Sequence, residues 1–264
     1  YRYQMTASTA ATRLFRPRAC FLGAPGSGKG SYGKILARHW GIPIISVSDV
    51  LKQNQASQDA IASGQLVDDE IVSQALVDHL EQKDSSSAYL LDGFPRTLAQ
   101  IHLMKQTWPE PLQLQSAIHL NVPLEVCERK LLGRRICKLC GNHFNVHGVL
   151  SGGFDLPAQL PRPGQCHYGS ALGTPSLPQQ HNLTKCEETH WRTRDDDQQD
   201  IIHHRLQVYQ EHTRPILEYL EAQGTLFSFV PYKGYDDMPK FQSALEDWLM
   251  EKLPETVLEG DAGM

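Results

Sequence analysis

The chain has 264 residues, 40% of them apolar and 21% charged, with a formal net charge of −5 and six cysteines. That length buries one sizeable core and favours one domain carrying insertions. The mild charge gives no general affinity for nucleic acid or membrane, no apolar run approaches the ~20 residues of a membrane span, and the scattered cysteines point to a reducing compartment.

Residues 1–18 read as a leader. Met5 to Arg18 is rich in Thr, Ala and Arg and carries no acidic residue, the composition of an organelle transit peptide and equally of a disordered leader with no address. The compartment is thus the cytoplasm, or a mitochondrion or plastid if the leader is a transit segment. The domain proper is expected over 19–253. Cys20–Leu22 is a short apolar strand running into Gly23, and a helix follows over Lys29–Trp40 with Ile35 and Leu36 inward. Ile42–Val47 reads as a second buried strand. Helices are expected over Asp49–Gln55 and Asp68–Gln82, the latter with Ile71, Leu76 and Leu80 on its inner face.

Tyr89–Leu91 is a buried strand ending at Asp92, a helix follows Thr97, and Ala117–Leu120 is another strand. Pro123 opens a helix to Leu132, Pro being suited to a first turn. Arg134–Arg194 breaks the pattern: it is rich in Pro, Gly, Gln and His and too long for a bare loop, so it is expected to form an inserted lid. Helix resumes over Asp195–Leu220, its three leading Asp placed where the macrodipole favours them. A strand (Leu226–Val230) and a helix (Met238–Leu253) complete the core, and the tail over 254–264 is expected to be disordered. Alternating strands and helices predict an α/β fold with a parallel sheet covered on both faces, ligands binding beyond the carboxyl ends of the strands.

One segment dominates the functional reading: Gly23-Ala24-Pro25-Gly26-Ser27-Gly28-Lys29-Gly30-Ser31. Its glycines let backbone amides turn around phosphate oxygens, the next helix aims its N-terminus at the charge, and Lys29 supplies a cation for the β- and γ-phosphates. Strand before and helix after are the context such a loop requires. Most phosphate loops place Ser or Thr directly after the Lys; here Gly30 intervenes before Ser31. That GKG form is used by nucleoside-monophosphate kinases, and the chain resembles the adenylate kinase family in its long-lid form.

A second segment, Leu90-Leu91-Asp92-Gly93-Phe94-Pro95-Arg96-Thr97, is similar to that family's second signature. The resemblance implies a P-loop NTPase core with a helical lobe for the acceptor nucleotide (about 46–75) and a lid (about 134–194). It implies transfer of the γ-phosphoryl of MgATP to AMP, with ATP, AMP and ADP as ligands and a monomeric state. Gly26, Ser27, Gly28, Lys29, Gly30 and Ser31 would cradle ATP, and Asp92 would hold waters on Mg²⁺. Arg96, with Gly93 beside it, would grip the AMP phosphate through a bidentate fork, and Gln100 would read the adenine edge.

Ser46-Val47-Ser48-Asp49-Val50-Leu51-Lys52 resembles the family segment S-T-G-D-x-L-R, and Gly64-Gln65-Leu66-Val67 its G-x-L-V turn. This places Val47, Lys52, Gln65 and Val67 at the AMP. Val47 stands for the usual Thr, Ser48 for the usual Gly and Lys52 for the usual Arg, which removes a hydroxyl and a bidentate fork.

By the same resemblance Arg134 is a phosphate-binding arginine of the lid, with Arg194 and Arg205 acting on the transferring phosphoryl. Eleven residues, about three helical turns, separate those two and would set them on one helix face. The arginine that stacks on adenine in the family corresponds to Lys130 or, with a one-residue shift, Arg129. Cys137-Lys138-Leu139-Cys140 is a zinc knuckle in form. With Cys166 and Cys186 it would make a structural Zn²⁺ site; a lid held by hydrogen bonds or metal-less thiols are the other readings. Two functional alternatives stand: a sibling kinase of altered selectivity (UMP/CMP or GTP:AMP), and a nucleotide-binding regulatory protein with little turnover.

Overall fold

The computed structural model describes residues 13–53, 57, 67–82, 88–161 and 188–259. In chain order the first half gives β1 (Arg13–Phe15), β2 (Arg18–Leu22), α1 (Lys29–Trp40), β3 (Ile44–Ser46), α2 (Val47–Gln53), α3 (Asp69–Gln82), β4 (Tyr89–Asp92) and α4 (Leu98–Thr107). After these come β5 (Ser116–Leu120), α5 (Leu124–Leu132), β6 (Arg134–Cys137), β7 (His143–Asn145), β8 (Val149–Ser151) and β9 (Phe154–Leu156). Last are β10 (Trp191–Arg192), α6 (Gln199–Ala222), β11 (Leu226–Phe229), α7 (Met238–Lys252) and β12 (Val257–Glu259).

The core sheet runs β11-β5-β2-β4-β3, and every pair in it is parallel. Such strands are buried on both faces, which is why they read as unbroken apolar runs. Along β2 the side chains alternate: Ala19 and Phe21 pack with α1 and α7, Cys20 and Leu22 with α2, α3 and α4. The register Cys20↔Leu91 and Phe21↔Asp92 brings the ends of β2 and β4 level, so Gly23 and Asp92 emerge side by side. α1 closes at Gly41, whose φ of 64° lets its N–H return to Ala37 O.

The lid has its own small architecture. β10, β6 and β7 form an antiparallel sheet, and β8 and β9 form a hairpin turning on Gly152 and Gly153, at φ 58° and 85°. Two successive positive φ values are what a type I′ hairpin turn needs. The hairpin shares a core with the helices behind it: Val149, Phe154 and Leu156 cluster with Val126, Leu131, Ile202 and Leu206.

Four expectations need correction. Val47 opens α2 instead of ending a strand. α3 buries Val72, Leu76 and Leu80, with Ile71 only partly covered. The reason is spacing: residues four apart fall on one stripe, whereas Ile71 and Leu76 are five apart. Asp195–Asp197 forms a 3-10 turn ahead of α6 and not its first turn. Finally, the tail is ordered through Glu259, since β12 pairs antiparallel with β1, Phe15 opposite Val257. Residues 1–12 of the expected leader lie outside the described residues.

Candidate functional site

The phosphate loop sits between the end of β2 and the start of α1. Gly26, at φ 90°, passes so close to α5 that a Cβ there would lie 2.6 Å from Cys127 O. Gly28, at φ 98°, is the N-cap of α1, and Ser31 N donates back to Gly28 O at 2.9 Å. Ser27 is buried and its Oγ has no hydrogen-bond partner among the described residues. Lys29 folds its ammonium into the loop, donating to Gly23 O at 2.6 Å and Ala24 O at 3.0 Å. Burial lowers its pKa to about 8, against the opposing pull of Asp92. The charges of Arg205 and Arg96 also reach this ammonium. Asp92 is close by: a Cβ built on Gly30 would stand 3.5 Å from its Oδ2.

At the end of β4, Gly93 turns the chain away from the sheet at φ 102°, and Arg96 Nε donates to Gly93 O at 3.0 Å. This leaves the exposed guanidinium its forked face for an anion. Thr97 caps α4, accepting from Gln100 N at 3.1 Å. Gln100 itself is buried; its amide accepts from Arg96 N at 2.7 Å and donates to Asp69 Oδ1 at 2.6 Å. Val47 is buried and meets Gly93, a Cβ on which would lie 3.6 Å from Val47 Cβ. Val67 packs at the edge of the same cluster. Lys52 forms an ion pair with Asp49 at 3.0 Å one turn back on α2. Gln65 lies outside the described residues.

The lid arginines converge, though by a different device from the one their spacing predicts. Arg194 precedes the 3-10 turn and Arg205 lies on α6, so they share no helix face. Asp196 joins them: its Oδ1 pairs with Arg194 Nε at 3.0 Å and its Oδ2 with Arg205 Nη1 at 2.9 Å. Asp197, buried at 3% exposure, accepts from Arg134 Nε at 2.7 Å and reaches Arg205 Nη1 at 3.6 Å. Three like charges are thus held together by two carboxylates, since guanidinium groups so close repel unless countered.

A protein-family model described as adenylate kinase matches residues 21–225. An adenylate kinase of Nitrosococcus oceani is 35% identical over 237 residues, covering 84% of this chain and 94% of that protein. Adenylate kinase 1, chloroplastic, of Arabidopsis thaliana is 32% identical over 236 residues, 85% of this chain and 76% of its own length. An adenylate kinase of Caldicellulosiruptor bescii is 32% identical over 218 residues, 79% of this chain and 89% of its own.

The chain belongs to the adenylate kinase family. It is accordingly a nucleotide-binding phosphotransferase built on a P-loop NTPase sheet.

Within this member of the family, two alternatives at the lid's base differ in setting. Arg129 is exposed, whereas Lys130 is partly covered and its pKa is lowered by that burial. Asn145 Nδ2 holds Lys130 O at 2.7 Å, fixing the end of α5 to the lid strand β7. Cys137 at the end of β6 and Cys140 in the turn to β7 are buried with Phe144 of β7, and Gly141 N returns to Cys137 O at 3.0 Å. Cys166 and Cys186 lie outside the described residues, among which no three His, Cys, Asp or Glu side chains gather as a metal site. Among the described residues no helix is long and apolar enough to cross a membrane.

Sequence reasoning missed four carboxylates. Asp49 lines a cavity of about 320 Å³ with Gly30, Lys34, Ser46 and Asp92, so a second carboxylate stands near the loop. Its presence in Ser46-Val47-Ser48-Asp49 was a usable signal. Asp196 and Asp197 were read as helix-dipole partners when their neighbours were arginines. Asp69 carried no signal beyond its place at a helix start.

Proposed function

We propose that the chain transfers the γ-phosphoryl group of ATP to AMP, giving two ADP, and so maintains adenine-nucleotide balance. The observation that carries this reading is the set of charges whose fields reach Lys29: Asp92 from the end of β4, Arg96 from the turn after it and Arg205 from α6, which Asp196 and Asp197 tie to Arg194 and Arg134. A loop that only bound nucleotide would need no cations from the other two directions. Phosphoryl transfer is catalysed mostly by positioning and by neutralising oxygen charge, which is what such a convergence supplies.

In this scheme the amides of Gly26 to Ser31 and the Lys29 ammonium hold the ATP phosphates. Arg96 and Lys52 hold the AMP phosphate, with Gly93, Val47, Val67 and Gln65 against the nucleoside. Arg134, Arg194 and Arg205 close over the transferring group and exclude water, so that an AMP phosphate oxygen, and not water, bonds to Pγ as the bond to the β,γ-bridging oxygen breaks. The hard oxygens of Asp92 and Asp49 fit Mg²⁺ held through waters, an ion that neutralises phosphate charge when bound. In the lid, Cys137 and Cys140 would supply half of a structural zinc site, for which Cys166 and Cys186 are the candidate other half. The working unit is a soluble monomer.

The test is a transfer assay with MgATP and AMP, GMP, UMP or CMP as separate acceptors. AMP-dependent ADP formation, the others being slow, is the expected result, and Arg96→Ala lowers it by about 100-fold while ATP affinity stays within about twofold. The buried Val47 methyls stand where the family places a hydroxyl, so a preference for another base would trace first to that position. ATP binding without transfer to any acceptor would replace the kinase reading with a regulatory one.

A further inference from the structure

Two helix N-termini meet at the acceptor end of the sheet, and their side chains form a closed set. Asp69, in the first turn of α3, accepts from Gln100 Nε2 through Oδ1 at 2.6 Å and from Thr97 Oγ1 through Oδ2 at 3.3 Å. Thr97 Oγ1 in turn accepts from Gln100 N at 3.1 Å, and Gln100 Oε1 accepts from Arg96 N at 2.7 Å. Gln100 is only 6% exposed, so its amide has little freedom to turn.

The orientation of that amide is fixed by chemistry. A backbone N–H only donates and a carboxylate only accepts. Rotating the amide by half a turn would set its NH₂ against Arg96 N–H and its oxygen against Asp69, replacing two hydrogen bonds by two repulsions. In the orientation present, the oxygen is engaged by Arg96 and one N–H by Asp69. Among the described residues nothing else meets Nε2, so its second N–H, a donor, is left for a ligand, beside the second lone pair of Oε1.

We propose that Asp69 is a positioning residue for base selection: by holding both Gln100 and Thr97 it makes Gln100 present a donor to the base of the acceptor nucleotide. Adenine carries a ring-nitrogen acceptor, N1, on its pairing edge; hypoxanthine and guanine carry an N–H at the same place, which meets donor with donor. Asp69 acts on the nucleotide only through Gln100. The inference rests on the reading that a nucleoside monophosphate binds beside Arg96 and Gln100.

The experiment measures AMP, IMP and ATP binding by calorimetry on the full chain, with AMP turnover and thermal unfolding alongside. It uses wild type, Asp69→Asn, Asp69→Ala, Gln100→Ala and the double variant Asp69→Ala/Gln100→Ala. The AMP-over-IMP preference is expected to fall about tenfold in Asp69→Ala and about threefold in Asp69→Asn, with ATP affinity within about twofold. In turnover, KM for AMP rises more than kcat falls. Adding Asp69→Ala to Gln100→Ala changes the preference no further, because the two act as one unit.

An unchanged AMP-over-IMP ratio in the folded Asp69→Asn variant overturns the proposal, whether or not Asp69→Ala folds. So does an equal loss of AMP, IMP and ATP binding together with lower thermal stability, which is the mark of a merely structural residue. A wild type that binds AMP in preference to IMP through Asp69, yet turns over no AMP, would sink the proposed reaction and leave this inference standing.

Discussion

His119 is the next-to-last residue of β5, buried at 7% exposure, with its Nε2 3.3 Å from Tyr209 OH on α6 and its Nδ1 3.4 Å from Ser228 Oγ on β11. Burial, aided by the Lys29 charge, presses its pKa down to about 4. The unfolded chain titrates its histidines near 6.5, so between about pH 6.5 and 4 the unfolded state binds more protons. His119 therefore contributes stability that is fully present above about pH 6.5 and drains away as pH falls towards 4, about 3 kcal/mol over the window. Replacing His119 by Asn should flatten the stability-against-pH curve there relative to wild type, followed by urea unfolding at several pH values. Curves that stay parallel would show that the imidazole is not what titrates. Nothing in the string Ser116-Ala117-Ile118-His119-Leu120 announces this, because the shift comes first from burial by distant parts of the chain and then from Lys29, ninety residues away. Lys29 itself was legible, since its role is written in a contiguous glycine pattern whose backbone makes the site.

Elements were legible where one period ran through them and less so where side-chain charge overruled it. The stretch Arg194 to Gln198 shows the conflict. Three acidic residues before a helix fit the macrodipole, but Asp196 and Asp197 are drawn into ion pairs with three arginines, and the backbone takes a 3-10 turn before α6 begins at Gln199. The β8–β9 hairpin was hidden by the overall composition of the lid, although Gly152-Gly153 between Val149-Leu150-Ser151 and Phe154-Asp155-Leu156 is a local turn signal. The β6–β7 turn is the element on which the zinc reading hangs. Two buried thiols at Cys-x-x-Cys spacing on one tight turn suit half of a tetrahedral thiolate site. Metal analysis of the purified chain is expected to find about one zinc per molecule, with thiol titration accessible only after chelation. A metal-free chain with intact lid protection in hydrogen exchange would leave the lid to its hydrogen bonds.

At the scale of the whole molecule, the parallel order β11-β5-β2-β4-β3 follows from alternating strands and helices, because crossover connections leave few other arrangements. Pairing between distant ends does not follow, since a short strand carries no mark of its partner. Residues 13–15 and 257–259 are both short, and each read alone as leader or tail. Together they close the back of the sheet: Arg16 N donates to Thr256 O at 2.7 Å, and Phe15 stacks on Trp40 with ring centroids 5.8 Å apart. Val257 packs against the same cluster, which includes Leu249 and Phe241 of α7. The site lies at the other ends of the strands, where β2 and β4 deliver Gly23 and Asp92. Removing residues 254–264 should thus expose Phe15 and its partner ring without touching a nucleotide. The lost apolar burial amounts to about 1–3 kcal/mol, a fall in Tm of roughly 2–6 °C for a chain of this size. Trp40 emission should shift to the red, while KM for both nucleotides stays within about twofold. If Tm is unchanged, the paired ends add no net stability; if nucleotide affinity falls with it, the back of the sheet is coupled to the loop at its front.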